Sequence, residues 1–321
     1  MDINNPPSAL ILMSTYQGES FITAQLDSLL AQTYANWRLI IRDDHSSDNT
    51  TSIIKEYINR DSRIHLIEDP HGNIHIQKSF SILMQYALTQ PHDYIFFCDQ
   101  DDVWLPEKLA KQINQLSDMQ KCHGTDTPLL VHSDLQVVNQ NLKLIHPSYL
   151  AFEKILRNTI SPLHTLLINN FVTGCTLGMN KALLKIATPI PETAIMHDWW
   201  CALCAAAYGR IAFLNEATIL YRQHDKNSVG SKGFYYRLWI QLRNGTKTLA
   251  IKKNNFRRCF VQAKDLLNRK ENFNPEQEVI KKFSDLINLN IYSRYSSALA
   301  LKIKGVSQLR SLLFFGMLGL L

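Results

Sequence analysis

An α/β fold with a mainly parallel central sheet, followed by a basic helical extension, is the architecture this sequence predicts, and three observations predict it. Short apolar runs alternate with helical patterns over the first hundred residues, as βαβ units require. Polar or acidic segments follow three of those runs, where open α/β sheets bind their ligands. The charge then changes sign along the chain. Residues 1–229 carry 17 Lys/Arg against 23 Asp/Glu, net −6, whereas residues 230–321 carry 17 against 5, net +12.

The first strand is Ala9-Leu10-Ile11-Leu12-Met13, an unbroken apolar run of the kind buried on both faces. A helix around Phe21–Gln32 follows, with apolar residues at 22, 26, 29 and 30 forming one stripe. Trp37–Ile41 is the second strand, and Asp48 starts a helix that runs to about Asn59. Ile64–Ile67 is the third strand, and a helix from Ile74 to Leu88 leads into the strand Tyr94–Cys98. Beyond Pro128 the pattern loosens. Leu129–His132 and Leu135–Val138 read as strand material interrupted by Ser133-Asp134, and residues 145–165, with Pro147 and Pro162, as a mobile loop near the site. Phe171–Thr176 reads as a strand, Lys181–Ala187 as a short helix, and Trp199–Ala207 as a buried helix opened by His197-Asp198. Arg210–Leu214 and Ala217–Tyr221 read as a strand pair.

With 321 residues and 45% hydrophobic content, the chain can hold one large core plus an appendage. The start, Met1 to Pro7, has neither the basic nor the apolar region of a signal peptide, so a cytoplasmic location is expected. Six scattered cysteines do not resemble a disulfide framework, and Cys201 and Cys204 lie in a buried helical pattern without a second pair to complete a zinc site. No helix-turn-helix, zinc-finger or RNA-binding signature accompanies the basic tail, which argues against nucleic acid. The three polar strand ends are Ser14-Thr15-Tyr16, Asp43 to Asp48, and Asp99 to Asp102. None has the glycine-rich turn of a dehydrogenase or the lysine-bearing loop of an ATPase. The sheet is therefore expected to hold a nucleotide through carboxylates and a metal.

Asp99, Asp101 and Asp102 place three carboxylates within four positions after Tyr94–Cys98. Alternation along an extended segment would send Asp99 and Asp101 to one side, where they can share a divalent ion and the diphosphate it neutralises. Solvated loop acids are the plainer reading; Asp43 or Asp44 can instead cap the helix that begins near Asp48, with a cap and a ligand role equally open to Asp44, and Asp48 reads as a cap rather than a contact.

Four ordered blocks then resemble a family 2 glycosyltransferase of the GT-A fold, nearest the bacterial rhamnosyltransferase-like members, over roughly residues 8–230. They are Ser14 to Glu19, Gln25 to Tyr34, Arg42 to Thr50, and Asp99 to Leu109. The resemblance implies that Thr15, Tyr16 and Glu19 line the nucleotide pocket and that Asp43 accepts from a pyrimidine N–H, as an ionised carboxylate can. It makes Asp99 the ribose-contacting acid and Asp101 a ligand of Mg²⁺ or Mn²⁺, with His224 able to approach the metal. Asp102, Trp104, Gly174, Thr176, His197, Trp199 and Arg222 fall around the donor and acceptor pocket. Trp104 and Pro106 also suit a structural role at the next helix, and Lys226 can add positive charge beside Arg222. Asp198 stands where the family has its catalytic acids and becomes the candidate base, an N-cap being the competing role.

The activity this resemblance implies is an inverting transfer from a dTDP-rhamnose or UDP-hexose donor to a lipid-linked saccharide. A nucleotidyltransferase and a non-catalytic sugar-nucleotide-binding subunit are the alternatives. Past residue 230, helices over 248–270 and 275–304 set Leu249, Phe256, Phe260, Leu266 and Leu267 beside Lys252, Lys253, Arg257, Arg258 and Lys264. Basic amphipathic helices suit the cytoplasmic membrane surface. Packing against the catalytic domain or a second copy of the chain suits them as well. The closing run Leu312–Leu321 is shorter than the roughly 20 residues that span a bilayer.

Overall fold

The computed structural model describes residues 6–155, 162–224, 245–269 and 275–321, with side chains from residue 253 onward in the third stretch. Parallel strands form half of the sheet. β1 (Ala9–Thr15) lies between β2 (Trp37–Asp43) and β4 (Tyr94–Cys98), with β3 (Ile64–Leu66) outside β2. The register sets Thr15 beside Asp43 and Met13 beside Cys98, so the three polar strand ends meet on one rim. Successive side chains of β1 alternate between two cores. Leu10 and Leu12 pack with α3 (His75–Leu88) through Phe80, Leu83 and Met84, while Ile11 and Met13 pack with α1 (Ile22–Leu30) and α2 (Thr50–Arg60) through Ile22, Leu26 and Ile54. Cover on both faces explains why the strand is apolar at every position from Ala9 to Met13.

Among the described residues the sheet has nine strands. β8 (Gly178–Asn180) runs antiparallel to β4 and to β6 (Leu129–Asn139). β9 (Arg210–Gln223) runs parallel to β6, β5 (Val103–Trp104) lies antiparallel on β9, and β7 (Leu144–His146) pairs with β6. Several expectations change here. The two runs 129–132 and 135–138 are one strand, because the polar step between them is buried with partners. Ser133 Oγ meets Thr218 Oγ1 at 2.6 Å, and Asp134 accepts from Ser148 Oγ at 2.5 Å, where the pairing shifts register. The expected strand pair 210–221 is likewise one long strand. It follows Gly209, where a Cβ would lie 1.8 Å from the Pro128 carbonyl oxygen. Phe171–Thr176 is no strand: it ends in a 3₁₀ turn at Gly174–Thr176, and the strand comes next, at β8. The expected loop 145–165 holds α5 (Tyr149–Phe152) and the start of α6 (Pro162–Leu166). Helices α4 (Lys108–His123), α7 (Lys181–Ala187) and α8 (His197–Tyr208) complete this part, and Cys201 and Cys204 are buried free thiols.

The extension consists of α9 (Gly245–Leu267), α10 (Pro275–Asp285), α11 (Ile291–Ala300) and α12 (Gln308–Leu318). The expected helix 275–304 is thus divided, by a 3₁₀ turn at Leu286–Asn288. Phe260, Ala263 and Leu266 of α9 and Phe283 of α10 belong to the same buried cluster as Trp200, Cys204 and Tyr208 of α8. Polar bonds fix the contact: Ile195 N donates to Gln262 Oε1 at 3.2 Å, Arg258 donates to the Ala194 carbonyl at 2.9 Å, and Tyr208 donates to the Leu266 carbonyl. The described apolar residues Phe260, Ala263 and Leu266 of α9 and Phe283 of α10 are thereby spent on the rest of the chain, so of the partners open to these helices the sheet-bearing part takes these residues. The expected boundary near residue 230, Lys226, and the side chains of Leu249 and Lys252 lie outside the described residues. No helix among the described residues is long and apolar enough to cross a membrane.

Candidate functional site

At the rim, Gln100 ties two strand ends together. Its Oε1 accepts from Tyr16 N and its Nε2 donates to Tyr16 O, both at 2.9 Å. After β4 the chain bends, and strand alternation stops governing where the acids point. Asp101 faces His224, with Oδ2 and Nε2 2.8 Å apart. Asp102 turns inward, fully buried, and accepts from Arg222 N at 3.1 Å. Arg222 in turn donates through Nε to the Asp101 carbonyl at 2.8 Å and through Nη1 to the Gln140 carbonyl at 2.5 Å. Its guanidinium therefore holds the backbone that carries Asp101.

Asp198 enters from the first turn of α8, with Oδ1 accepting from Trp199 N at 2.6 Å. Burial raises its pKa to about 6, against hydrogen bonds from the Trp199 and Gly174 backbones and the Asn170 side chain. That value suits a general base near neutral pH. The 3₁₀ turn brings Gly174 so close that a Cβ there would lie 3.1 Å from His197 Nε2 and 3.5 Å from Asp198 Cβ. His197 stacks on Phe80 with centroids 4.0 Å apart, and burial lowers its pKa to about 3, leaving a neutral imidazole beside the carboxylate. Trp199 donates from Nε1 to the Leu166 carbonyl at 2.6 Å.

The acids of the two segments act on each other. Burial first, then the charges of Asp101 and Asp198, raise the Asp99 pKa to about 7. Asp102 is pushed well above the usual carboxylate range, by burial and then by Asp101 and Asp99. Clustered acids of this kind suit a divalent cation. Asp101 and His224 both line the cleft and set one carboxylate oxygen and one imidazole nitrogen 2.8 Å apart, a donor pair Mn²⁺ accepts and Mg²⁺ tolerates. Deeper, ligand atoms of Asp99, Asp102 and Cys175 lie within 4.8 Å of one another.

A cleft of 1860 Å³ gathers Thr15, Tyr16, Asp99, Asp101, Gly174, His197, Asp198, Trp199 and His224. Six expected residues do not line it. Glu19 is exposed and accepts from Asn49 N and Nδ2, each at 3.0 Å. Asp43 accepts from Thr15 Oγ1, Ser46 N and Ser46 Oγ, all at 2.7 Å, whereas its neighbour Asp44 is on the cleft wall. Trp104 is buried under the Lys108 ammonium at 3.8 Å, which corrects any sugar-stacking role, and Thr176 Oγ1 is used by the Thr173 carbonyl at 2.7 Å. Asp102 and Arg222 stand behind the wall, as described above. Nor does Asp44 cap the helix after Asp48. It accepts from Ile74 N and His75 N, each at 2.9 Å, at the start of α3, and pairs with the buried Arg42 at 2.7 Å. Sequence reading missed Gln100 and Asn170, and left Asp44 open between a cap and a ligand. The signals available were an arginine inside an apolar strand before Asp43-Asp44, and the doublet Asn169-Asn170.

Residues 10–184 match the family model described as "Glycosyl transferase family 2". Over 151 residues the chain is 31% identical to "UDP-Glc:alpha-D-GlcNAc-diphosphoundecaprenol beta-1,3-glucosyltransferase WfgD" of Escherichia coli, a match covering 46% of this chain and 54% of that protein. Over 246 residues it is 26% identical to "dTDP-rhamnosyl transferase RfbG" of Shigella flexneri, covering 71% of this chain and 78% of that one. In fold it is similar to the mannosyltransferase PcManGT from Pyrobaculum calidifontis, solved in complex with GDP-Man and Mn²⁺, with a TM-score of 0.54, 15% identity, and 98% and 81% of the two chains covered.

Proposed function

Because this chain belongs to glycosyl transferase family 2 and has the GT-A fold, we propose that it moves a sugar, with inversion, from a nucleotide-diphosphate donor to a hydroxyl of a lipid-linked saccharide in cell-surface polysaccharide synthesis. The observation that carries this reading is the facing of one cleft by Asp101 with His224 and by Asp198. The names of the two relatives support a UDP-hexose or dTDP-rhamnose as donor and a lipid diphosphate as carrier.

In this mechanism Asp198 removes the proton from the acceptor hydroxyl. The freed oxygen attacks the anomeric carbon from the face opposite the diphosphate, and the bond to the leaving oxygen breaks as the new one forms. General base catalysis contributes about 10²–10⁴-fold. Asp101 and His224 would hold Mg²⁺ or Mn²⁺, which when bound offsets charge on the departing diphosphate, an effect of several kcal/mol. Asp99 meets the ribose, and Thr15 and Tyr16 flank the base. Asp43 and Asp44 brace the base pocket, Asp43 by accepting from Thr15 and Ser46 and Asp44 by accepting from Ile74 N, His75 N and Arg42. Gly174, His197 and Trp199 shape the sugar and acceptor floor, while Arg222 and Asp102 position Asp101. A peripheral place at the inner face of the plasma membrane follows from the lipid carrier and the basic extension.

The test is release of nucleoside diphosphate from UDP-Glc and dTDP-rhamnose by the full chain with Mg²⁺ or Mn²⁺ and extracted lipid-linked saccharides. Acceptor-dependent release that Asp198→Asn abolishes is expected. Tight donor binding with no release would instead assign a non-catalytic binding subunit.

A further inference from the structure

We propose that the part of the cleft walled by α12 holds the hydrocarbon chain of a polyprenyl-diphosphate-linked acceptor; this rests on the glycosyltransferase reading above. At 1860 Å³ the cleft exceeds the roughly 300–1,000 Å³ of one small-molecule site, which leaves room for a second ligand beside the donor. Its lining is of two kinds. Thr15, Asp101 and His224 belong to the polar rim, whereas Ile168, Phe256, Leu312, Leu313 and Met317 belong to an apolar wall of the same cavity.

Helix α12 differs from α9 and α10 in how it uses its apolar residues. Phe314 and Leu318 enter the core, with Phe314 edge-on to Phe256 at 5.5 Å, yet Leu312 stays 68% exposed and Leu313 40% exposed. A helix that served only to cover the domain would be polar on its second side. The charge around it names the chemistry of the occupant. Arg258 and Arg310 line the same cleft, with Arg310 3.3 Å from Glu153; residues 291–321 contain four Lys/Arg and no acid, of which Lys302 and Lys304 are exposed and Arg294 is buried on backbone carbonyls. Cations beside a hydrocarbon wall suit an anionic headgroup with a long apolar chain. Because Leu312 and Leu313 line the cavity, the chain lies in the cleft, its sugar end toward Asp198.

The experiment is calorimetric titration of the full chain with farnesyl diphosphate and with inorganic diphosphate, both in EDTA. The wild type is expected to bind farnesyl diphosphate at least about tenfold tighter, a gain that a few buried CH₂ groups supply. Leu312→Asp/Leu313→Asp should bring the two affinities within about twofold. Leu312→Met/Leu313→Met should keep the preference, as should Leu299→Asp on α11, with melting curves reporting the fold of each variant. Equal affinities in the wild type, or a preference that survives the double Asp variant, would overturn the proposal. So would loss of flotation on phosphatidylglycerol vesicles with the preference intact, which would make α12 a bilayer contact. No sugar nucleotide enters these measurements, so their failure leaves the transfer reading standing, and absence of nucleoside diphosphate release leaves the chain-binding result standing.

Discussion

In the segment Asp43–Asp48 each carboxylate already accepts from backbone or side-chain donors, whereas in Asp99–Asp102 burial and mutual repulsion raise two of the acids out of their usual range. Asp48 makes the contrast plain: burial opposes its charge, yet hydrogen bonds from Thr50 and the Glu19 backbone hold its pKa below the usual value. Both segments follow a strand and both are dense in acid. One uses its charge to fix backbone, and the other leaves charge for a ligand to meet. Acid density in a sequence therefore locates a rim, and the donors already committed to each oxygen tell which acids are available for chemistry.

The widest separation between the two behaviours is expected at Asp198 and Asp101. Asp198→Asn should lower turnover by about 10²–10⁴-fold while raising unfolding free energy by up to about 3 kcal/mol. The sign follows from linkage. The folded pKa, about 6, lies above the unfolded value of 3.8, so the carboxylate costs stability as pH rises through that window, and Asn removes the cost at neutral pH. Denaturant titration beside a release assay would show both effects. Asp101→Ala should cut metal-dependent turnover on a similar scale, and a near-normal rate would remove Asp101 from the scheme.

Arg42 tests the other segment. It is fully buried and paired with Asp44 and Asp69, so Arg42→Met should cost about 3–5 kcal/mol of stability by stranding buried carboxylates. Next in size is the pH profile of the wild type. Turnover should fall about tenfold per unit below pH 6 as Asp198 takes up its proton, and a flat profile down to pH 5 would dissociate that group from the reaction. The smallest effect belongs to Asp48→Ala, about 1 kcal/mol of stability for the lost bond to Thr50 N, with turnover nearly kept.

The first four strands and three helices were legible because runs such as Leu10–Met13 and Ile95–Cys98 are buried on both sides and broken by polar ends. Leu129–Asn139 misled because Ser133 and Asp134 are polar yet buried, satisfied by Thr218 and Ser148, residues distant in sequence. The run 171–176 misled for the opposite reason: its apolar residues are buried around a turn. The motif blocks supply residues that the structure gathers in one cleft, but they did not give the orientation of each side chain. Asp43 and Asp44 differ in what they face because the strand ends between them, which puts Asp44 and not Asp43 on the cleft wall. The amphipathic pattern of residues 248–285 was equally readable, but a pattern cannot say which surface it meets, and the answer lay in Trp200 and Tyr208 on α8.

That last contact changes how the chain can be engineered. Asp198 opens the helix whose far end, at Tyr208, is bonded to the Leu266 carbonyl, and Arg269 lies over Trp200 with 5.0 Å to the ring centroid. Shortening the protein near residue 230 would strip the outer cover from the helix that carries Asp198, so a truncated form would report damage to that helix as though it were loss of an anchor. Exchange of acceptor preference between relatives would accordingly need α8 and the C-terminal helices to travel as one cassette.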